Sequence, residues 1–243
     1  GLPAQEASVL SEGTELQQMR FLAQITEGSA TAPVQQVLPL VHHPNPLLRR
    51  LALSALARLG DPAGVAAIEN ALFDQESCVR CLAMYALRTL NRPESTARML
   101  AALDQFHEHP FVEAARDSLA RIKPAPHAEL RAAADHEDEV VRTTALRVLR
   151  LIGVTAADVP LLVAHLDDPH RYAAYSAAET LAAVVNSPAA VNALIAATRH
   201  QDVAVADRAT TSLAAMISRG DEAAAALRSE VLAAGRALFA AFG

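Results

Sequence analysis

Three groups of residues in this chain have the types and spacing to do chemistry. Cys78 and Cys81 form a Cys-x-x-Cys at an expected helix start, where the helix N-terminus lowers a thiol pKa and redox or metal chemistry becomes feasible. Asp74 and Glu76 stand beside the pair and oppose a thiolate, no second cysteine pair completes a zinc site, and Leu82 follows where a haem-attachment motif needs His. A structural role is therefore the expectation, with metal binding and redox chemistry as alternatives. Seven of the nine histidines, His42, His43, His107, His109, His136, His170 and His200, fall in expected turns. These turns also hold Asp74, Glu76, Glu108, Asp135, Glu137, Asp138, Asp167, Asp168 and Asp202. Imidazole and carboxylate are competent ligands for zinc and similar metals. A solvated polar turn explains the same residues more plainly, so no metal is expected. His127 occupies an apolar helix slot and reads as a core or half-buried residue. The chain has no Gly-rich phosphate loop and no G-x-S-x-G elbow. Catalysis needs several polar groups converging on one point. None is assembled by spacing here, so the expectation is no catalytic residue and no cofactor.

The elements that position these groups follow from composition. Ala and Leu supply 54 and 32 of 243 residues, against six Phe, three Tyr and no Trp. Ala and Leu lead the helix-propensity order, and β-formers are too sparse for a large sheet. Disorder, collagen and a disulfide framework are excluded as well. The net charge of −6 argues against a dedicated nucleic-acid binder, which carries a basic stripe. The most apolar run, at 231–242, is shorter than a membrane span and contains Arg236. No signal peptide is visible, and a cytoplasmic location is expected. The chain begins at Gly1 rather than Met, as a processed form or a segment of a longer protein would.

A repeat of 30 to 32 residues runs through the chain. Its first apolar slot holds Leu48, Val79, Phe111, Val141, Ala173 and Val205. Four residues on, all six repeats have Ala: Ala52, Ala83, Ala115, Ala145, Ala177 and Ala209. Eight residues on, all six have Leu: Leu56, Leu87, Leu119, Leu149, Leu181 and Leu213. Eleven on stand Leu59, Leu90, Ile122, Ile152, Val184 and Met216. These offsets share one face of a helix. An earlier helix in each repeat begins with Val34, Val65, Thr96, His127, Val159 and Val191, preceded in four repeats by Pro62, Pro93, Pro124 or Pro188. Asp61 and Ser187 are placed to cap two of them. Neither helix buries its apolar face alone, so the units must stack.

The second-helix text Asp138–Gly153 resembles the HEAT repeat in its short bacterial form, D-x-x-V-R-x-x-A-x-x-A-L-x-x-L-G; Glu76–Leu90 and Leu48–Gly60 nearly match it. The resemblance implies an all-α solenoid, a superhelix of six helical hairpins over 33–218. Residues 1–32 then form an N-terminal cap or degenerate repeat and 219–243 a C-terminal capping helix, all in one domain. In the N-terminal segment, 3–27 reads as two helical pieces broken at Gly13, with Leu16, Met19, Leu22 and Ile25 on one stripe. In the C-terminal segment, Asp221–Phe242 reads as one helix facing inward with Leu227, Val231, Leu232, Leu238 and Phe239. The Arg of the HEAT pattern is kept at Arg49, Arg80 and Arg142 but replaced by Val112, Ala174 and Ala206, so a continuous polar ladder along the turns is not expected.

The resemblance implies a non-catalytic scaffold that binds a protein partner on its concave surface, lined by the second helices. The exposed slots two, six and nine residues after the first give Arg50, Tyr85, Arg88, Glu113, Asp117, Arg147, Arg150, Tyr175, Glu179 and Asp207 as partner-binding candidates. No nucleic acid and no membrane are expected, and a place in a larger chain or complex remains open. The alternative is a bilin-lyase-like or other accessory protein acting on a protein-bound cofactor. HEAT-repeat di-iron hydroxylases use His-Glu pairs inside the second helix. The matching positions here, such as Cys81–Leu82 and Thr143–Thr144, lack them, and His107–Glu108 and His136–Glu137 lie in turns. A glycosylase built from such helices would need a basic aromatic groove, which is missing.

Overall fold

A computed structural model describes residues 9–242, with side chains through Arg236. It comprises two compact units, one ending at Pro126 and one beginning at His127. Both are built from antiparallel helical pairs, and no strand occurs among the described residues. Each unit by itself has the all-α solenoid architecture that the periodicity predicts.

In the first unit, α1 (Glu15–Glu27) precedes three hairpins. They are α2 (Val34–Val37, running on as a 3-10 turn to His42) with α3 (Pro46–Leu59), α4 (Pro62–Ala71) with α5 (Ser77–Thr89), and α6 (Thr96–Gln105) with α7 (His109–Arg121). The second unit pairs α8 (His127–Ala134) with α9 (Glu139–Ile152), α10 (Val159–Ala164) with α11 (Arg171–Leu181), and α12 (Pro188–Ala197) with α13 (Val203–Ser218). It closes with α14 (Glu222–Ala226) and α15 (Arg228–Phe242). The second helices stack in chain order: α3 on α5 and α5 on α7 in one unit, α9 on α11 and α11 on α13 in the other.

The shared Ala and Leu make this stacking possible. All six Ala are 0% exposed, and no shared Leu exceeds 1%. A methyl is all that fits where neighbouring backbones come close, and each Leu fills the groove beside it. Burying such a Leu contributes about 1.5–3 kcal/mol. The slot eleven residues on is less uniform: Ile122, Val184 and Met216 are buried, while Leu59, Leu90 and Ile152 are half-buried. Pro in the first turn and capping side chains start the helices. The carboxylate of Asp61 accepts from the N–H of Ala63 at 2.8 Å, and Ser187 Oγ from that of Ala190 at 3.3 Å.

Both ends depart from the sequence expectation. Helix α1 packs on α3 in the position of a second helix, as a degenerate repeat should. Its inward face, however, is Gln18, Phe21, Leu22 and Ile25, while Leu16 is 57% exposed and Met19 half-buried. Gln18 takes an inward position because its amide donates to Leu10 O at 3.1 Å, satisfying a buried polar group. Of the expected segment 3–27, residues 3–8 lie outside the described range. At the other end the chain breaks at Leu227 instead of forming one helix. Helix α14 packs with α12 and α13 while α15 packs on α13, so the segment is a shortened hairpin. Val231 and Ala234 face inward, Leu227 is half-buried and Leu232 is 48% exposed. The side chains of Leu238 and Phe239 lie outside the described range.

Candidate partner-binding surface

The turns between first and second helices obey a local rule that explains three of their histidines. Two residues before the second-helix cap stand His43, Asp74, Phe106, His136, Asp168 and His200. At five of these positions a side-chain acceptor takes the N–H of the cap residue. His43 Nδ1 accepts from Asn45 at 3.0 Å, His136 Nδ1 from Asp138 at 3.1 Å and His200 Nδ1 from Asp202 at 2.9 Å. Asp74 Oδ1 accepts from Glu76 at 2.9 Å and Asp168 Oδ1 from His170 at 2.8 Å. Imidazole Nδ1 therefore does what an Asx side chain does in a turn. With Nδ1 accepting, Nε2 carries the proton and points away from the turn. It meets an acid of the preceding helical pair: His43 Nε2 lies 3.9 Å from Glu15, and His200 Nε2 3.4 Å from Asp167.

The repeats whose turn holds Asp use a different contact. Arg49 donates to both oxygens of Asp74 at 2.8 and 2.7 Å, and Arg142 to both oxygens of Asp168 at 2.8 and 2.9 Å. Each guanidinium also grips its own turn: Arg49 Nη1 donates to His43 O and Pro44 O, Arg142 Nη1 to His136 O and Glu137 O. Arg80 holds Asp74 O and Gln75 O in the same way and pairs with Glu108. Phe106 stands where an Asp would accept, and Arg80 instead lies 3.9 Å from its ring centroid. A ladder of inter-repeat contacts thus exists within each unit, although its chemistry alternates. Where Ala174 replaces the Arg, Arg171 at the helix start reaches Asp202 at 2.7 Å.

Burial pushes Asp168 upward, but the hydrogen bonds from Arg142, the His170 N–H and His165 outweigh it and hold the carboxyl below the usual range. Asp158 behaves alike: burial opposes, and Arg131 with Thr155 prevails. His165, absent from the sequence candidates, is 8% exposed and sits between Asp135 at 3.1 Å and Asp168 at 3.3 Å. Among the described residues no group of three or more His, Cys, Asp or Glu is placed to hold a metal ion.

The candidates on the second helices divide between the units. In the first unit, Arg50 is exposed and Tyr85 is 36% exposed. Both line an open, largely apolar cleft of about 500 Å³ with Ser77, Cys78, Cys81, Leu82 and Pro110. The two cysteines are free, Cys78 exposed and Cys81 half-buried. Burial pushes the Cys81 thiol up, the opposite of activation. Arg88 pairs with Asp117 and lies 5.1 Å from the Tyr85 ring; Glu113 pairs with Arg116.

The first unit holds two near matches to the repeat text, in α3 and α5, and departs from it at Val112 in α7. Residues 34–120 match the family model for HEAT repeats. This segment is a run of HEAT repeats. A comparison with curated proteins gives no match. Among solved structures, the complex of CpcE and CpcF of phycocyanin lyase from Nostoc sp. PCC7120 is similar at 16% identity, over 94% of this chain and 93% of that one, with a TM-score of 0.47. An engineered protein is similar at 20% identity, over 95% and 71%, with a TM-score of 0.46. Human deoxyhypusine hydroxylase in complex with glycerol is similar at 20% identity, over 95% and 93%, with a TM-score of 0.37.

In the second unit the HEAT-like text continues, and the corresponding face carries Arg147, Arg150, Tyr175, Glu179 and Asp207. Arg147 Nε donates to Ser176 Oγ at 3.3 Å. Arg150 and Glu179 are 3.8 Å apart, and Asp207 is exposed. Tyr175 is half-buried beneath Arg208, whose guanidinium carbon lies 4.2 Å from the ring centroid. Arg208, also within 3.9 Å of Glu179, is a residue the slot arithmetic missed because it falls three residues after the first slot, between the core and the exposed stripe. No helix among the described residues is long and apolar enough to cross a membrane.

Proposed function

We infer that this chain is a non-catalytic HEAT-repeat scaffold that binds a protein partner through the exposed face of its second helices. The observation that carries this reading is the cleft of about 500 Å³ in the first unit, where Arg50, Tyr85 and Leu82 stand over a floor of tightly packed second helices. Arg50 has no hydrogen bond or ion pair among the described residues, so its donors are available to a partner. Tyr and Arg are the residue types that dominate binding hot spots. Carboxylates of the second helices, Glu113 and Asp117 in the first unit and Glu179 in the second, lie within ion-pair distance of arginines, which suits recognition better than proton transfer.

Affinity capture from the native organism with quantitative mass spectrometry tests the reading. The wild-type chain should enrich a defined protein, and an Arg50→Glu, Tyr85→Ala variant with an unchanged circular-dichroism spectrum should lose it. Equal enrichment by wild type and by face variants of both units would overturn the reading. A captured protein carrying a covalently bound chromophore would move the chain to the accessory class.

A further inference from the structure

We propose that a cleft on the second unit, formed by α11 and α13 with the end of α9, is a carboxylate-binding site that receives an Asp or Glu side chain of an acidic peptide segment. The cleft encloses about 230 Å³ and is lined by Arg150, Arg208, Arg219 and Glu179 above small residues including Ala182 and Ala215. The proposal rests on the reading that the second-helix face binds a protein and specifies what that face recognises in this unit.

The argument starts from hydrogen-bond capacity. A guanidinium has five N–H donors and no acceptor. Arg150 and Arg208 both turn toward Glu179, yet its Oε1 stays 3.8 Å from one and 3.9 Å from the other, outside hydrogen-bond distance. Neither arginine makes a hydrogen bond among the described residues, and Arg208 Nε is shielded from solvent without an acceptor. The Tyr175 ring beneath Arg208 holds its guanidinium in one plane, and Arg208 and Glu179 are each 28% exposed. One half-buried arginine, Arg208, and one exposed arginine, Arg150, thus present unspent donors to one small cavity. Arg219 stands at its margin, tied to the buried Asp221 at 3.3 Å.

Charge then selects the ligand. Three guanidiniums against Glu179 and Asp221 leave one net positive charge at the cleft, in a chain whose net charge is −6. A carboxylate, with one negative charge and two oxygens matched to the guanidinium fork, neutralises the site. A phosphate dianion would overcharge it beside Glu179. The methyl floor of Ala182 and Ala215 leaves room for a short side chain, and the partly dry setting strengthens the pairing.

The test is fluorescence anisotropy of a labelled hexaglutamate peptide with the whole chain at low ionic strength, where screening is weak. Wild-type protein should bind it, and unlabelled hexaglutamate should compete while hexaglutamine does not. Arg150→Gln with Arg208→Gln should weaken binding about tenfold, the value of a lost charge-assisted contact. Arg199→Gln with Arg228→Gln, the same charge change elsewhere on this unit, should leave it unchanged. Glu179→Gln should tighten binding, because it removes the competing carboxylate; a merely structural Glu179 would not behave so. Arg150→Lys with Arg208→Lys keeps charge without the fork and should fall in between, which covers a double Gln variant that fails to fold. No hexaglutamate binding, equal binding by wild type and the double variant, or stronger competition by inorganic phosphate or an oligonucleotide would each overturn the proposal. Loss of the cleft with partner capture through Arg50 and Tyr85 intact would leave the broader function standing.

Discussion

Arg142 and Asp168 meet in a two-pronged ion pair, at 2.8 and 2.9 Å, that joins one helical pair of the second unit to the next. Both side chains are largely buried, 12% and 4% exposed. The same carboxylate takes the N–H of His170 and contacts His165, so one Asp organises a turn and an inter-repeat joint together. Burying two charges is costly, and it is repaid only when the remaining donors and acceptors are satisfied. Here they are, which makes the pair stabilising as it stands and vulnerable to loss of either member.

Asp168→Asn should therefore destabilise the second unit by about 3–5 kcal/mol, the range for breaking a buried pair from one side. The Asn still accepts the turn N–H, so the loss reports the charge rather than the turn. Urea unfolding followed by circular dichroism measures it. A change within experimental error would show that Arg142 finds another acceptor.

Acid should act on the same joint. Asp158, Asp168 and Asp221 are all held below the ordinary carboxylate range: burial raises each, and their hydrogen bonds from Arg131, Arg142 and the Asn186 N–H, with others, outweigh it. A depressed folded-state pKa contributes stability above the unfolded value of about 4 and loses it as pH falls through the folded value. The melting temperature should hold between pH 7 and 5 and drop steeply below about pH 4. Asp168→Asn should flatten part of that drop. A profile identical to wild type would remove Asp168 from the account.

The core was legible in the sequence because packing repeats with the chain. Ala145 and Leu149 recur at fixed offsets in six repeats, and burial forces the same residue wherever the same gap recurs. The ends were misread where that logic lapses. Leu16 fits the apolar stripe of α1 but faces solvent, because Gln18 is held inward by Leu10 O. The sequence presents the turn histidines as solvated and polar, while Nδ1 of His43, His136 and His200 replaces an Asx acceptor, a role no periodicity displays. His165 did leave a trace: five residues before the cap, the other repeats hold Leu40, Ala71, Leu103, Ala133 and Ala197. A lone His in an apolar slot signals a polar partner, supplied here by Asp135 and Asp168. Arg208 left none, since whether an arginine spends its donors depends on distances between repeats.

Core variants should separate cavity from overpacking. Leu149→Ala should cost about 2–5 kcal/mol through the cavity it leaves. Ala145→Leu should cost about 1–3 kcal/mol, because both residues are 0% exposed and no gap receives the added atoms. Thermal unfolding of both variants checks the pair; melting with wild type would show that these positions do not face the core.

The two thiols should react in order. Cys78 is exposed, whereas Cys81 is half-buried and its thiol is pushed up by burial. The thiolate is the nucleophile. Iodoacetamide at pH 8 should therefore modify Cys78 well before Cys81, as resolved by peptide mass spectrometry over time. Preferential labelling of Cys81 would point to activation that its surroundings do not supply.

The alternation between His and Asp turns yields the sharpest structural prediction. Where the turn holds Asp168, the preceding second helix offers Arg142; where it holds His200, the corresponding position is Ala174. The pairing makes physical sense, since an arginine facing imidazole meets no carboxylate and opposes its protonation. His200→Asn should keep an acceptor for the Asp202 N–H and cost less than His200→Ala, which loses it. The difference should be about 1 kcal/mol, the net worth of one hydrogen bond. Ala174→Arg alone should destabilise, because it buries a guanidinium where only 1% of Ala174 is exposed. Combined with His200→Asp it should recover much of that loss by recreating the contact seen between Arg142 and Asp168. A double-mutant cycle from chemical denaturation measures the coupling. Additive effects would mean that the two turn types are not interchangeable solutions to the same joint, and that something other than the Arg–Asp contact separates them.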